Sequence, residues 1–366
     1  MPLPDNNPEK WELEEHTKVK HQLLEKYLRA WISVVGSFRD TLGYFDCFAG
    51  RGEYNDGSIG SPVIVMKAAQ ELIDKVGKVK KFLCTFIENN PENYESLKNV
   101  VSRAQKTCKD VECHTYNRDF QEVITDYLDY YEDKTMVPCL YFIDPFGWSG
   151  VPFHVVKRIL EHRYSEIIFV FMTYEIARFC SSKMHENSLN ELFGNDQWKM
   201  AQQYSGEKRH DALVQIYEQL LENETDAEYV WSFRVNDSEM RKRTKYYIIH
   251  ASHDIKGLRV MKPIMRKQGS GIFEYLGPED DVLRTQTRFE TFNLEHFLLE
   301  YFSGRTISFD DLCNELYPIS RHPVSKYIDS DYRNSLKKME KNRAITINRI
   351  YSKKTGLNKT DSLIFP

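Results

Sequence analysis

The 366-residue chain is 41% hydrophobic and 28% charged, and its 50 Lys and Arg against 54 Asp and Glu leave a formal net charge of −4. This composition excludes a disordered, collagen-like or disulfide-scaffold protein, and the near-neutral charge excludes a uniformly basic nucleic-acid binder while leaving room for local patches. Single cores rarely grow past roughly 250–300 residues, so the length predicts about two domains.

The longest wholly apolar run, Ile167 to Met172, falls far short of the ~20 residues that a membrane-spanning helix needs. The opening Met-Pro-Leu-Pro-Asp-Asn-Asn has no basic region followed by an apolar one, so no secretory signal is expected. Seven cysteines, an odd number, form no Cys-x-x-Cys pair and no zinc-spaced Cys/His ladder. Cys84 and Cys139 sit within apolar strand-like runs, where a thiol behaves as a small buried hydrophobe. Together these features predict a cytoplasmic protein with reduced core cysteines and no metal site.

A first helix is expected from about Thr17 to Val35, because Leu23, Leu24, Tyr27, Leu28, Trp31 and Ile32 recur at three-four spacing. Strand-length apolar segments then alternate with helical ones. The predicted strands are Leu42 to Phe48, Phe82 to Ile87, Glu112 to Tyr116, Val137 to Ile143 and Ile167 to Thr173. The intervening helices are one opened by Ser61-Pro62, read as an N-cap with proline at the first helical position, one introduced by Pro91, one from about Phe120, and one from Pro152 to His162. The fifth strand is apolar on both faces and belongs at the centre of a parallel sheet.

Residues from about 181 to 228 read as a helical insertion. Tyr246 to Ala251 and Leu258 to Met261 read as an antiparallel strand pair. The predicted fold is therefore α/β, with a doubly wound, Rossmann-like sheet. Five parallel strands followed by an antiparallel pair resemble the layout of class I S-adenosylmethionine (SAM) methyltransferases. From about Leu294 the pattern becomes helix, helix, helix and a two-stranded wing, which predicts a small C-terminal winged-helix domain. The expected division is an N-terminal helical segment (1–36), a methyltransferase-like domain (37–290) and the winged-helix-like domain (291–366).

The densest chemical signal is Asp46-Cys-Phe-Ala-Gly-Arg-Gly52 at the end of the first strand. Its glycines let backbone approach a ligand closely, at the carboxyl end of a strand where open α/β sheets bind ligands. The run resembles the Asp-Pro-Phe-Ala-Gly-Ser-Gly cofactor motif of amino-methyltransferases, with Cys47 for Pro and Arg51 for Ser. The resemblance implies cofactor contacts at Asp46, Phe48, Ala49, Gly50 and Gly52.

Glu88, ending the second strand, is placed to accept hydrogen bonds from both ribose hydroxyls of a nucleoside, or is a solvated strand-end carboxylate. Asp119 after the third strand resembles the residue that receives the adenine amino group in this fold, and can equally be an N-cap. Asp144-Pro145-Phe146-Gly147 follows the fourth strand, where amino-methyltransferases carry Asn/Asp-Pro-Pro-aromatic. There the acidic side chain and the proline carbonyl hold the target amine, and an aromatic ring stacks on the flipped base. Phe146 or Trp148 is the candidate for that stack, and the tetrapeptide also resembles that of the tRNA guanine-N2 dimethyltransferases. Read alone, it is an ordinary turn.

Nearly the whole chain resembles one family, the three-Cys-motif partner proteins (TcmP). The matching features begin with Trp11, Glu15-His16-Thr17-Lys18, His21 and Tyr27-Leu28-Arg29-Ala30-Trp31. They continue with Phe45 to Gly52, Tyr54, Gly60-Ser61-Pro62, Asp144 to Gly147, Phe193-Gly194, Trp198, Gly257-Leu258, Met261-Lys262 and Leu336 to Lys341. The resemblance implies SAM as cofactor, a three-Cys-motif protein as partner, and a bacterial or phage setting. It also implies that His16 and Thr17, expected just ahead of the first helix, frame the cofactor's carboxylate or the substrate entrance. Otherwise Thr17 is part of an incomplete capping box.

Three basic clusters are candidate phosphate contacts: Arg241, Lys242 and Arg243; Lys262 with Arg266 and Lys267; and Lys337, Lys338 and Lys341 in the C-terminal domain. From Asp331 onward nine Lys and Arg face three Asp and Glu, about +6 locally. A winged helix of this charge binds nucleic acid or docks a protein. The expected function is SAM-dependent methylation of an exocyclic base amine in RNA or DNA. The alternatives are a non-catalytic scaffold of the same fold and a nuclease of a defence system.

Overall fold

The computed structural model describes residues 15–132, 134–236, 243–267, 273–274, 292–319, 322–350 and 356–366. The chain divides into two compact units, Met1–Glu274 and Tyr275–Pro366. The boundary expected near residue 290 lies outside the described residues.

In the first unit, α1 (Glu15–Val35) buries Leu23, Leu24, Tyr27, Leu28, Trp31 and Ile32, the predicted stripe. It starts two residues earlier than the apolar pattern indicates, so Thr17 lies inside its first turns rather than ahead of it. The alternation then runs β1 (Thr41–Asp46), α2 (Ser61–Val76), β2 (Lys81–Ile87), α3 (Pro91–Gln105) and β3 (Val111–Tyr116). It continues with α4 (Phe120–Tyr130), β4 (Cys139–Ile143), α5 (Phe153–Leu160) and β5 (Ser165–Phe171). The helical stretch follows as α6 (Thr173–Phe179), α7 (Glu186–Phe193) and α8 (Glu207–Glu224). The unit ends with β6 (Tyr229–Asn236), β7 (Thr244–Ser252), α9 (Ile255–Lys267) and the short β8 (Phe273–Glu274).

Two elements differ from expectation. Leu258 to Met261 is not a strand but the middle of α9, whose Gly257, Leu258, Met261, Lys262 and Met265 are buried at helical spacing. Four residues, Leu258-Arg259-Val260-Met261, are too few to show a period of their own, so their neighbours decide. The strand that does pair with Tyr246 to Ala251 is β6, which sequence reading missed because it buries a charge and an amide, Arg234 and Asn236. Arg234 is accommodated by Asp211 of α8 and the Tyr247 hydroxyl.

The sheet order is β3-β2-β1-β4-β5-β7-β6-β8. Strands β1 to β5 are parallel; β7 runs antiparallel to both β5 and β6, and β8 antiparallel to β6. The first unit is thus a mixed α/β structure with a mostly parallel sheet flanked by helices, compatible with a Rossmann-like fold. Helix α1 packs on α2 and α9, and α2 on α3, while α4, α5 and α7 form another group. From β1 the chain builds outward through β2 and β3, then returns to lay β4 on the other side of β1. The carboxyl ends of β1 and β4 therefore flank a topological switch point, where such sheets leave a crevice.

Helix α1 is fastened to the sheet by a partly buried carboxylate. Glu166 on β5 accepts from the Tyr27 hydroxyl and from Trp31 Nε1 at 3.2 Å. His250 Nε2 on β7 lies 2.8 Å from the same Tyr27 oxygen and 3.4 Å from Glu166. All seven cysteines are unpaired, six of them buried. Among the described residues no helix is long and apolar enough to cross a membrane.

The second unit runs α10 (Leu294–Tyr301), β9 (Thr306–Ser308), α11 (Phe309–Leu316), α12 (Asp329–Lys341), β10 (Thr346–Asn348) and β11 (Ser362–Ile364). Its three strands form an antiparallel sheet in the order β10-β11-β9. Strand β9 is absent from the sequence reading, because three residues are too few to display a period of two. The unit has its own core of Leu298, Phe302, Phe309, Leu312, Leu316, Tyr332, Leu336, Met339, Leu363 and Phe365.

Replacing Glu166 with Ala removes the acceptor shared by Tyr27 and Trp31; the Tyr27 hydroxyl keeps His250 Nε2, while the buried Trp31 Nε1 loses its acceptor. The expected loss is about 2–4 kcal/mol, read as a lower urea midpoint, whereas a midpoint within error of the parent would show that α1 is held by its apolar stripe alone.

Candidate functional site

The loop that leaves β1 is shaped by its glycines. Gly50 and Gly52 adopt φ of +61° and +81°, conformations that residues with a Cβ rarely enter. A Cβ on Gly52 would also come 3.1 Å from Val100 Cγ1 on α3. The loop is tied down on both sides: Cys47 N–H donates to Phe142 O and Ala49 N–H to Ile87 O, each at 2.9 Å. Gly60 N–H closes it by donating to Gly52 O at 2.8 Å. The Phe48 ring stacks on Phe120, with centroids 5.5 Å apart.

Asp46 is fully buried at the end of β1, and its Oδ1 meets no hydrogen-bond partner among the described residues. Burial pushes its carboxyl up to about 7; the Ser61 hydroxyl and the Phe48 amide pull it down, while the Asp144 charge adds to the rise. Ser61 was expected to cap α2. Gly60 holds the N-cap position instead, without a side-chain bond, and the Ser61 hydroxyl serves Asp46.

Glu88 follows β2 directly and is buried. Its Oε1 accepts from Asn90 N–H at 2.8 Å. Burial raises its carboxyl above the usual range, against the pull of the Asn90 and Gly50 amides and the Asn93 side chain. Glu88 is therefore not a solvated strand-end residue. Asp119 occupies the N-cap position of α4 but makes no capping bond; its Oδ1 accepts instead from Asn89 Nδ2 at 2.9 Å. Asn117 braces the same turn by donating to Glu88 O at 2.9 Å.

Asp144 follows β4 and meets a residue that sequence reading did not select. Lys20 Nζ of α1 lies 2.6 Å from Asp144 Oδ2, with the two side chains only 9% and 18% exposed. Asp144 Oδ1 is buried without a hydrogen-bond partner among the described residues. Next along the chain, the Pro145 carbonyl accepts from Gly147 N–H at 2.9 Å, which leaves it a second lone pair. Phe146 is 53% exposed, whereas Trp148 is buried with its edge against His185 at 5.7 Å. Of the two candidate stacking rings, Phe146 is the accessible one.

Three further residues complete the crevice. Tyr54 lies close enough to Asp46 and Asp144 that their charges, after burial, raise its hydroxyl above the usual range. His21, beside Lys20, is pushed down to about 4 by burial and by the lysine charge. Thr173, following β5, has a fully buried Oγ1 with no partner among the described residues. A signal for Lys20 did exist: it stands three, four and seven residues before Leu23, Leu24 and Tyr27, on the buried stripe of α1.

The structure thus brings together Asp46, the Gly50–Gly52 loop, Glu88, Asp119 and Asp144 at the carboxyl ends of four adjacent strands. Thr17 and His16 lie within α1, and nothing is described of the His16 side chain. Arg241 and Lys242 lie outside the described residues, and Arg243 is exposed. Lys262 does not belong to a phosphate-binding surface: it is 1% exposed, with Nζ 4.3 Å from the Trp231 ring centroid. Burial pulls its ammonium down to about 7. The helical register of α9, not visible in so short a segment, turns Lys262 inward. In the second unit, Lys337, Lys338 and Lys341 are exposed on α12, with Lys338 paired to Glu295 at 2.7 Å.

Among the described residues, no group of three or more His, Cys, Asp or Glu is placed to hold a metal ion. No protein-family model matches the chain, and comparison with curated proteins gives no match.

Because Asp46 holds its proton up to about pH 7 when folded, against 3.8 for an ordinary aspartate, the folded chain binds a proton that the unfolded chain releases between those values. Its contribution to stability therefore falls as pH rises through that window and levels off above it. Asp46→Asn should raise the melting temperature more at about pH 8 than at about pH 5, and an equal change at both would show that Asp46 does not titrate there.

Proposed function

We propose that the chain is a SAM-dependent methyltransferase of class I architecture that acts on an exocyclic base amine of RNA or DNA. The observation that carries this reading is the row of carboxylates ending β1 to β4 beside a left-handed glycine loop, at the point where the strand order reverses. The five parallel strands with β7 antiparallel beside β5 support it, since that layout resembles the class I methyltransferases.

The buried residues suit the cofactor. Gly50 and Gly52 admit it close to the backbone, Glu88 takes the ribose hydroxyls, Asp119 takes the adenine amino group, and an acidic crevice suits a sulfonium cation. Bound there, SAM supplies an electrophilic methyl group. The chain's own contribution is positioning: Asp144 Oδ1 and the second lone pair of the Pro145 carbonyl accept the N–H bonds of the amine, and Phe146 stacks on the base. Held this way, the nitrogen lone pair points at the incoming carbon, and part of the barrier is removed by orientation alone.

The second unit fits the same reading as a winged-helix module, from its order of helix, strand, two helices and two strands. Lys337 and Lys341 face solvent on its third helix and would contact phosphates, whereas Lys338 and Arg349 are already paired with Glu295 and Glu340. By resemblance the partner is a three-Cys-motif protein, in a bacterial or phage cytoplasm.

Tritium transfer from labelled SAM to total RNA and DNA, followed by nucleoside mass spectrometry, tests the reaction. Asp144→Ala should cut transfer by about 10²–10³-fold while calorimetric SAM affinity stays within twofold; unchanged transfer would remove Asp144 from the site, and no SAM affinity in the parent chain would leave the scaffold reading. For the polymer grip, replacing both Lys337 and Lys341 with Gln should lower the slope of log affinity against log salt by about 1 per lysine. An unaltered slope would place the polymer elsewhere.

A further inference from the structure

The pairing of Lys20 with Asp144 has no counterpart in the motifs that suggested the site, and resting on the methyltransferase reading it points to a specific role. We propose that Lys20 is a positioning residue for methyl transfer: its ammonium offsets the charge of the Asp144 carboxylate and holds it turned so that Oδ2 is occupied and Oδ1 is left to accept the target amine.

Four observations support this assignment. The contact is short, 2.6 Å, and largely enclosed, so it is a charge-assisted bond rather than a screened surface pair. It engages one oxygen only, and the other is buried with no partner among the described residues. The Lys20 ammonium also lies over the Tyr246 ring of β7, with Nζ 5.5 Å from the ring centroid. Its helix is fastened two turns further on through Tyr27, Trp31 and Glu166. A side chain so held is preorganised.

The surrounding charges require such a cation. Among the described residues, Asp46 from β1, Tyr54 from the loop after it and Lys20 from α1 act on Asp144, with His21 of α1 and Tyr246 of β7 beside Lys20. Asp46 opposes a second negative charge in the crevice: its own rise to about 7 comes first from burial, and the Asp144 charge adds to it. His21, driven down to about 4, carries no charge near neutrality, and Tyr54 stays protonated. Of these groups Lys20 supplies the positive charge. Without it, Asp144 would face the Asp46 carboxyl with no cation beside it, and the contact that leaves Oδ1 to the amine would be lost.

A plug is the competing role, with Lys20 filling the place of the amine until substrate displaces it. The two roles have opposite consequences. In the full chain, the pH profile of labelled transfer to total RNA and DNA is compared for the parent, Lys20→Met and Lys20→Arg. The proposal expects the acid limb of Lys20→Met to move up by about 1–3 pH units, transfer near pH 7 to fall at least about tenfold, and Lys20→Arg to restore both. Faster transfer by Lys20→Met, or an unmoved profile, overturns it.

A second readout does not need turnover. Infrared titration of the ¹³C-aspartate-labelled chain, with Asp144→Asn subtracted, should show Asp144 titrating about 1–3 units higher in Lys20→Met; if that variant does not fold, Lys20→Gln replaces it. An unchanged Asp144 titration overturns the proposal. A shifted titration in a chain that neither binds SAM nor transfers methyl refutes the methyltransferase reading while retaining the electrostatic role of Lys20.

Discussion

Two carboxylates end neighbouring parallel strands at the place where the sheet changes direction, and the rest of the crevice is built around that juxtaposition. Asp46 on β1 and Asp144 after β4 would repel each other in a low-dielectric setting. The chain resolves the conflict asymmetrically. Asp46 is enclosed, and burial raises its carboxyl to about 7 against the pull of the Ser61 hydroxyl, while Asp144 receives an ammonium from a helix that precedes the sheet in sequence. One carboxyl near the neutral form and one paired anion can share a crevice where two free anions would not.

This arrangement makes α1 part of the site rather than an appendage. The same helix that delivers Lys20 to the carboxyl end of β4 gives Tyr27 and Trp31 to Glu166 near the start of β5. The two attachments lie about two turns apart on one face, so the apolar stripe between them fixes both. Anchoring at the amino end of the sheet therefore bears on charge balance at its carboxyl end. The coupling needs no moving part, only a rigid helix crossing the edges of β4 and β5.

Much of the first unit was legible in the sequence, for an identifiable reason. Its strands are buried on both faces and its helices carry an apolar stripe, so two different periods alternate along the chain. Pro91 and the glycines after Asp46 marked boundaries. What was not legible had mixed chemistry. Strand β6 buries Arg234 and Asn236, which reads as a surface segment until Asp211 and Tyr247 are seen around it. Helix α9 has a proline at position 263, and the segment Leu258 to Met261 is too short to define a period. Strand β9 is simply too brief.

The candidate site divides in the same way. Residue type and position along the chain determined which carboxylates end strands β1 to β4 and where glycine must turn the backbone, because those properties are local. Sequence likewise determined that a near-neutral total conceals a basic tail, since charge is additive along the chain. Only the tertiary structure decided that Lys20 meets Asp144 across 124 residues, that Lys262 is buried against Trp231 instead of facing a phosphate, and that Phe146 rather than Trp148 is exposed. Each of these depends on which face of an element turns inward, and that choice is made by packing between segments distant in sequence.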